Sequence, residues 1–271
     1  RVGAAVKNNE GEWVLLNGNQ TALMFVYYLI TRWKELGKIN GKEYIVKTIV
    51  TTETIKTIAE RNGVEMYDVY TGFKWIANVM RENEGKKNYI GGGEESYGFL
   101  CEDFVRDKDA VSACVILAEI AAWAKDQGLS LYQLLQKIYV EYGFSKEKGI
   151  SVVKKGKSGA EEIEAMMKKF RENPLTEIAG SKVTYFYDYS TLKGKDYAEN
   201  ETVTLDMPTT SNVLQYFTED NTKVSIRPSG TEPKIKFYCE VHSKVKSIDE
   251  LPEAEKAAEE KINQIKASLG I

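Results

Sequence analysis

The segment Val224-Ser225-Ile226-Arg227-Pro228-Ser229-Gly230-Thr231-Glu232-Pro233-Lys234-Ile235-Lys236-Phe237-Tyr238 sets an arginine, two hydroxyls, a glycine and a lysine between two strand-like runs. Such residues suit a phosphate. Arg227 offers a planar fork of N–H donors to two phosphate oxygens, which a lysine cannot copy. Ser229 and Thr231 add hydroxyl donors, and Gly230 lets the backbone come close, where successive N–H groups can form an anion-binding nest. Pro228 and Pro233 stiffen the loop by fixing φ. The same residues would equally serve the turn of an ordinary β-hairpin, so this loop alone decides nothing.

A second set lies upstream. Gly91-Gly92-Gly93-Glu94-Glu95-Ser96-Tyr97-Gly98 follows a short strand, Asn88-Tyr89-Ile90, and reads as a flexible loop of close-approaching backbone. A carboxylate with a serine beside it, as in Glu94 and Ser96, is a natural grip on a sugar's vicinal diol and a poor one on phosphate, which it repels. Lys47 leaves another strand, and Lys74 sits in the Thr71-Gly72-Phe73-Lys74 turn; both can face a phosphate or give up a proton. Singly, each also reads as a plain strand-to-helix turn or a solvated surface lysine.

Positioning these side chains falls to two kinds of domain. Val2 to Val6 and Trp13 to Leu16 read as short strands about a polar turn. Thr21 to Leu36 is a helix, apolar on most faces at its start and stopped by Gly37. Tyr44 to Thr51, Glu53 to Arg61 and Val64 to Val69 run strand, helix, strand, a βαβ unit that implies parallel strands. Asp109 suits the N-cap of a helix from Ala110, and a further helix runs from Leu131 to Tyr142. Residues 18–145 therefore predict an α/β domain with a mostly parallel mixed sheet.

From about Gly149 the texture changes. One helix, Ala160 to Arg171, precedes strands near Val183, Val203, Val213, Lys223 and Ile235, and a last helix spans Pro252 to Leu269. Ile235, Phe237, Cys239 and Val241 alternate with Lys236, Tyr238, Glu240 and His242, the period of a half-buried strand. This predicts a smaller α+β domain with a mainly antiparallel sheet over residues 146–271.

Composition narrows the function. A net charge of −3 lacks the basic surplus that nucleic acid or an anionic membrane demands. No apolar run nears the roughly 20 residues needed to cross a bilayer. The 3 cysteines follow no CxxC pattern, which argues against a disulfide framework or zinc site and for a reducing cytoplasm. With 1 histidine, His242, a histidine-based triad or metal site is excluded. The chain opens at Arg1 within a strand-like pattern and without a leader, as a piece of a longer protein would.

Taken together, the two loops describe a cleft for a phosphorylated sugar, and the chain resembles the α-D-phosphohexomutase family of phosphoglucomutases and phosphomannomutases. Gly93-Glu94-Glu95-Ser96 is similar to the family's sugar-binding loop, and Arg227-Pro228-Ser229-Gly230-Thr231-Glu232-Pro233-Lys234 to its phosphate-binding loop. Thr71-Gly72-Phe73-Lys74 and Val46-Lys47-Thr48 look like active-site segments. The resemblance spans nearly the whole chain and implies an isomerase acting as an intramolecular phosphotransferase on glucose or mannose phosphates. It implies that Gly93, Glu94 and Ser96 hold sugar hydroxyls, and that Arg227, Ser229, Gly230 and Thr231 anchor the phosphate that is not transferred. Lys47, Lys74 and Arg1 would line the cleft, Lys74 as a proton-transfer group.

The family's phosphoserine and magnesium site belong to its first two domains, and a sugar 1,6-bisphosphate is its intermediate. Arg1-Val2-Gly3 looks like the end of the metal loop, so residues 1–17 would be the tail of domain II, 18–145 domain III and 146–271 domain IV. The magnesium ligands would lie in the missing N-terminal domains, and the fragment would be inactive alone. Gly98 stands where the family often has histidine, which leaves the subfamily open. A phosphopentomutase, a sugar-bisphosphate synthase and a non-catalytic sugar-phosphate sensor remain as alternatives.

Overall fold

Asn17 opens the first long helix through a capping box: its side chain accepts the Gln20 N–H at 2.9 Å, while Gln20 Oε1 accepts the Asn17 N–H at 2.9 Å. Asn17-Gly18-Asn19 is therefore a cap and a first helical turn. The computed structural model describes residues 1–154, 156–230 and 232–271, with residue 157 described by its backbone only. The chain divides into two compact units, Arg1–Phe144 with Lys244–Asp249, and Ser145–Ser243 with Glu250–Ile271.

The first unit begins with an antiparallel pair, β1 (Ala4–Lys7) and β2 (Trp13–Leu16), followed by α1 (Gly18–Glu35). Then come β3 (Glu43–Thr48), α2 (Thr54–Arg61), β4 (Glu65–Val69), α3 (Phe73–Asn83), β5 (Asn88–Glu94), β6 (Gly98–Cys101), α4 (Ala110–Asp126) and α5 (Leu131–Tyr142). The strands lie in the order β4-β3-β5-β6, with β3 parallel to β4 and β5, and β6 antiparallel to β5. This is the mostly parallel mixed sheet that the βαβ pattern predicts. Tyr44, Val46, Val69, Phe73, Ile76 and Met80 pack into one core between the sheet and α3. Phe25 of α1 stacks on Phe99 of β6 with ring centroids 4.4 Å apart.

The glycine-rich stretch differs from its sequence reading. Gly91, Gly92 and Gly93 are buried inside β5 and are not loop. A Cβ on Gly92 would stand 2.2 Å from the Val46 carbonyl oxygen, and one on Gly93 2.5 Å from that of Gly98. Close packing of backbone against backbone is what these glycines serve. The loop proper is three residues, Glu95 to Tyr97, joining β5 to β6.

The second unit holds β7 (Phe144–Val153) from Ser145 on, α6 (Gly156–Glu172), β8 (Glu177–Ile178), β9 (Ser181–Asp188), β10 (Lys193–Asp196) and β11 (Glu201–Thr204). β12 (Leu214–Thr218), β13 (Lys223–Pro228), β14 (Lys234–Ser243) and α7 (Leu251–Leu269) complete it. Its sheet runs β11-β10-β9-β12-β13-β14-β7, antiparallel from β11 to β14, with β8 on β9. Alternation on β14 buries Ile235, Phe237, Cys239 and Val241. Phe170 of α6 meets Phe237 edge-on at 6.2 Å, and α7 packs on β14 and β8 through Ile262 and Ile265. β10 has a polar sequence that conceals its role: Gly194 leaves room for the Tyr187 ring, whose Cδ1 would lie 2.5 Å from a Cβ there.

Candidate sugar and phosphate loops

In the first unit, the chemistry gathers where β3, β4 and β5 end, the carboxyl edge at which open α/β sheets present their ligand-binding loops. Glu94 closes β5. It is only 6% exposed, and its Oε1 accepts the Gly72 N–H at 2.7 Å. The N-terminus of α3 therefore orients the carboxylate. Its Oε2 makes no hydrogen bond among the described residues.

The turn carrying Ser96 is fixed from several sides. The Glu95 N–H donates to Thr51 Oγ1 at 3.2 Å, and the Glu95 carboxylate accepts from Thr48 Oγ1 at 3.3 Å. The Val2 N–H donates to the Tyr97 carbonyl at 2.9 Å, and the Arg1 guanidinium donates to the Ser96 carbonyl. Arg1 thus meets the backbone of the Glu95–Tyr97 turn. Gly93, one residue before Glu94, stays within the sheet.

The two lysines are placed differently. Lys74 is exposed on the first turn of α3, its Nζ 4.9 Å from the Trp75 ring centroid. Lys47 is 1% exposed, with Nζ 2.9 Å from Glu53 Oε1, 2.7 Å from Asp68 Oδ1 and 3.4 Å from the Thr51 carbonyl. An ammonium has three donors, and all three find acceptors within the unit.

One further residue escapes sequence reasoning. A Cβ on Gly98 would lie 3.0 Å from Lys108 Cδ and 3.2 Å from Glu94 Oε2. A side chain at 98 would press on the Lys108 stem and on the Glu94 carboxylate, each of which would have to give by a few tenths of an ångström. Lys108 also lies over Phe73, Nζ to ring centroid 5.5 Å, and holds the Asp107 carboxyl below the ordinary carboxylate range by hydrogen bonding to it. With Phe73, Lys74, Asn78, Arg81 and Arg106 it lines a groove of about 770 Å³. The charge run Arg106-Asp107-Lys108 just before the N-cap Asp109 was the available signal.

In the second unit, Arg227, one residue before the end of β13, is half-buried and stands opposite Lys236 of β14. Neither makes a hydrogen bond or close ion pair among the described residues, although the charge of Lys236 acts on the Glu232 carboxylate. Like charges directly across a strand pair repel, and an anion between them relieves that repulsion. The loop beyond closes on itself: the Ser229 N–H donates to the Lys234 carbonyl at 2.8 Å, the Lys234 N–H to the Glu232 carbonyl at 2.7 Å and the Glu232 N–H to Ser229 Oγ at 3.3 Å. Lys234 pairs with Glu232 and holds its carboxyl below the usual range. Gly230 faces open space, a Cβ there meeting nothing within 4 Å. Thr231 lies outside the described residues. Pro228, Ser229 and Pro233 wall a groove of about 520 Å³ with Ile163, Met167 and Arg171.

Two family descriptions fit this chain in sequence order. Phosphoglucomutase/phosphomannomutase alpha/beta/alpha domain III matches residues 17–142, and the phosphoglucomutase/phosphomannomutase C-terminal domain matches residues 151–258. The chain belongs to the phosphoglucomutase/phosphomannomutase family. It is 37% identical over 238 residues to the phosphoglucomutase of Staphylococcus aureus (strain MRSA252), a match covering 88% of this chain and 42% of that protein. Against the phosphoglucomutase of Staphylococcus haemolyticus (strain JCSC1435) it is 33% identical over 242 residues, 89% of this chain and 43% of that one.

The chain thus spans about two fifths of the length of these curated relatives. Among solved structures, the open form of the exocytosis-sensitive phosphoprotein pp63/parafusin from Paramecium aligns with TM-score 0.57 and 16% identity, covering 96% of this chain and 43% of that one. A phosphoglucomutase/phosphomannomutase family protein from Burkholderia thailandensis aligns with TM-score 0.56 and 16% identity, over 98% and 44%. At that identity the likeness is one of fold. Among the described residues no helix is long and apolar enough to cross a membrane.

Proposed function

We propose that this chain is the sugar- and phosphate-gripping part of a phosphohexomutase, an isomerase that interconverts hexose 1-phosphate and hexose 6-phosphate through a sugar 1,6-bisphosphate. The observation that carries this reading is Glu94, a buried carboxylate with one oxygen fixed by the Gly72 N–H and the other open to accept from a hydroxyl. Ser96 supplies a second polar contact from the anchored turn. Arg227, with Ser229, Gly230 and Thr231, anchors the phosphate that is not transferred. Lys236 opposite Arg227 strengthens the attraction for an anion.

Lys74 is exposed at the helix start and is the group suited to move a proton to or from a bound hydroxyl. Arg1 steadies the Ser96 turn. Lys47 holds the loop after β3 to the end of β4 and keeps that edge in shape. Magnesium, which the family resemblance implies, finds no fit here: among the described residues no three His, Cys, Asp or Glu side chains come together to hold a metal ion. No step is therefore assigned to a metal in this chain. Phosphoryl transfer depends on positioning and charge stabilisation around the transferred group, which the family's other domains supply.

The test is calorimetric titration of the chain with glucose 1-phosphate and mannose 1-phosphate. Binding is expected, weakened about ten-fold by Glu94→Gln, which removes the charge that strengthens its hydrogen bond, and by Arg227→Ala, which removes charged donors. Failure of the unaltered chain to bind either sugar phosphate overturns the reading. Turnover of glucose 1-phosphate by the chain alone, with magnesium and glucose 1,6-bisphosphate supplied, would refute its dependence on the remaining domains.

A further inference from the structure

Tyr97 stands out within the Glu95–Tyr97 turn. Its φ is +71°, in the left-handed region, and its side chain is 40% exposed. Six described non-glycine residues have positive φ, and Tyr97 is the one aromatic among them. A bulky residue there is an outlier, because its Cβ crowds the backbone. The last position of a three-residue hairpin loop commonly takes this conformation, and glycine is the residue that suits it.

The backbone cannot relax away. The Tyr97 carbonyl accepts the Val2 N–H at 2.9 Å, and the Tyr97 nitrogen lies 2.8 Å from where a Cβ on Gly18 would be. Glycine at 97 would serve the turn better, so the turn does not account for the ring. At 40% exposure, packing covers only part of the residue. Among the described residues its hydroxyl makes no hydrogen bond, and its ring has no aromatic or cationic neighbour. Conformations of this kind persist where surroundings enforce them, and they cluster at ligand clamps.

We infer that Tyr97 is a specificity-determining residue of the sugar grip, its phenol ring forming a platform for the apolar C–H face of a hexose. This rests on the reading of Glu94 and Ser96 as hydroxyl-binding groups. An aromatic ring gives a rigid, amphipathic contact surface with few torsions to freeze. It pairs with a ligand whose edge is polar and whose face is not. In the gluco configuration the hexose face that carries H2 and H4 is an unbroken C–H surface, and the axial 2-hydroxyl of the manno configuration interrupts that face. With its ring set against this face, Tyr97 favours the gluco over the manno configuration.

Ligand-observed saturation-transfer NMR on the full 271-residue chain tests this, with glucose 1-phosphate and mannose 1-phosphate as probes and Tyr97→Phe, Tyr97→Gly and Glu94→Gln as variants. Irradiation of tyrosine ring protons should carry saturation to the glucose ring C–H protons. Tyr97→Phe should bind like the unaltered chain. Tyr97→Gly should keep or raise the melting temperature, weaken glucose 1-phosphate about five-fold, and erase the gluco preference. If Tyr97→Gly binds both sugars as the unaltered chain does while Glu94→Gln loses binding, the platform is refuted and the sugar grip stands. If the unaltered chain binds neither sugar, both fall together.

Discussion

A methyl group on Gly18 would stand 1.8 Å from the carbonyl oxygen of Glu95, so the first turn of α1 and the Glu95–Tyr97 turn touch backbone to backbone. Gly18→Ala must push that turn away. Overpacking of this kind costs about 1–3 kcal/mol. The expected outcome is a lower melting temperature together with weaker glucose 1-phosphate binding. A variant as stable and as competent as the unaltered chain would show that the contact is dispensable.

Lys47 ties Glu53, just before α2, to Asp68 near the end of β4. Replacing it with methionine keeps much of the volume and leaves two carboxylates near one another. Both are about a third exposed, so water recovers part of the loss. Lys47→Met is expected to cost about 2 kcal/mol, seen as a fall in melting temperature of roughly 5 °C. Differential scanning calorimetry is the check.

The three thiols should separate by reactivity. Cys114 is exposed on α4, whereas Cys101 and Cys239 are buried, and burial pushes both of their thiols up to about 12. The thiolate is the nucleophile, so a disulfide reagent at pH 8 should modify one equivalent quickly. Cys114→Ser should abolish that fast phase. Rapid modification of two or more thiols in the folded chain would contradict the burial.

Alkaline pH should destabilise the fold through its buried phenols. Burial raises Tyr44 and Tyr70 to about 12, from an ordinary value of 10.0. Between those values the unfolded chain has released protons that the folded chain still holds, so stability falls as pH rises. It is fully present below pH 10 and is lost as pH climbs toward 12. Melting temperatures across this window should drop less steeply for Tyr44→Phe, which has no proton to lose.

The sequence made some of this legible and hid the rest for physical reasons. Asp109 and the alternation along β14 announce a cap and a strand because those signals are local. Gly91 to Gly93 mislead because glycine reads as loop unless the carbonyls pressed against it are known. The Lys47 clasp depends on Asp68, 21 residues away, and on a parallel register that periodicity implies without fixing. Glu94 and Arg227 could be proposed from residue type alone, since few residue types offer a carboxylate acceptor or a planar fork of donors. The closeness of Lys108 to Gly98 could not, because it depends on the path of the chain after β6.

The Ser96 turn is held by α1, by Thr51 and by Val2 before any ligand arrives. On the proposed reading, a sugar loop already in shape has little to order when its guest arrives. Binding should therefore carry only a small negative heat-capacity change, and association should be governed by encounter and not by a slow rearrangement.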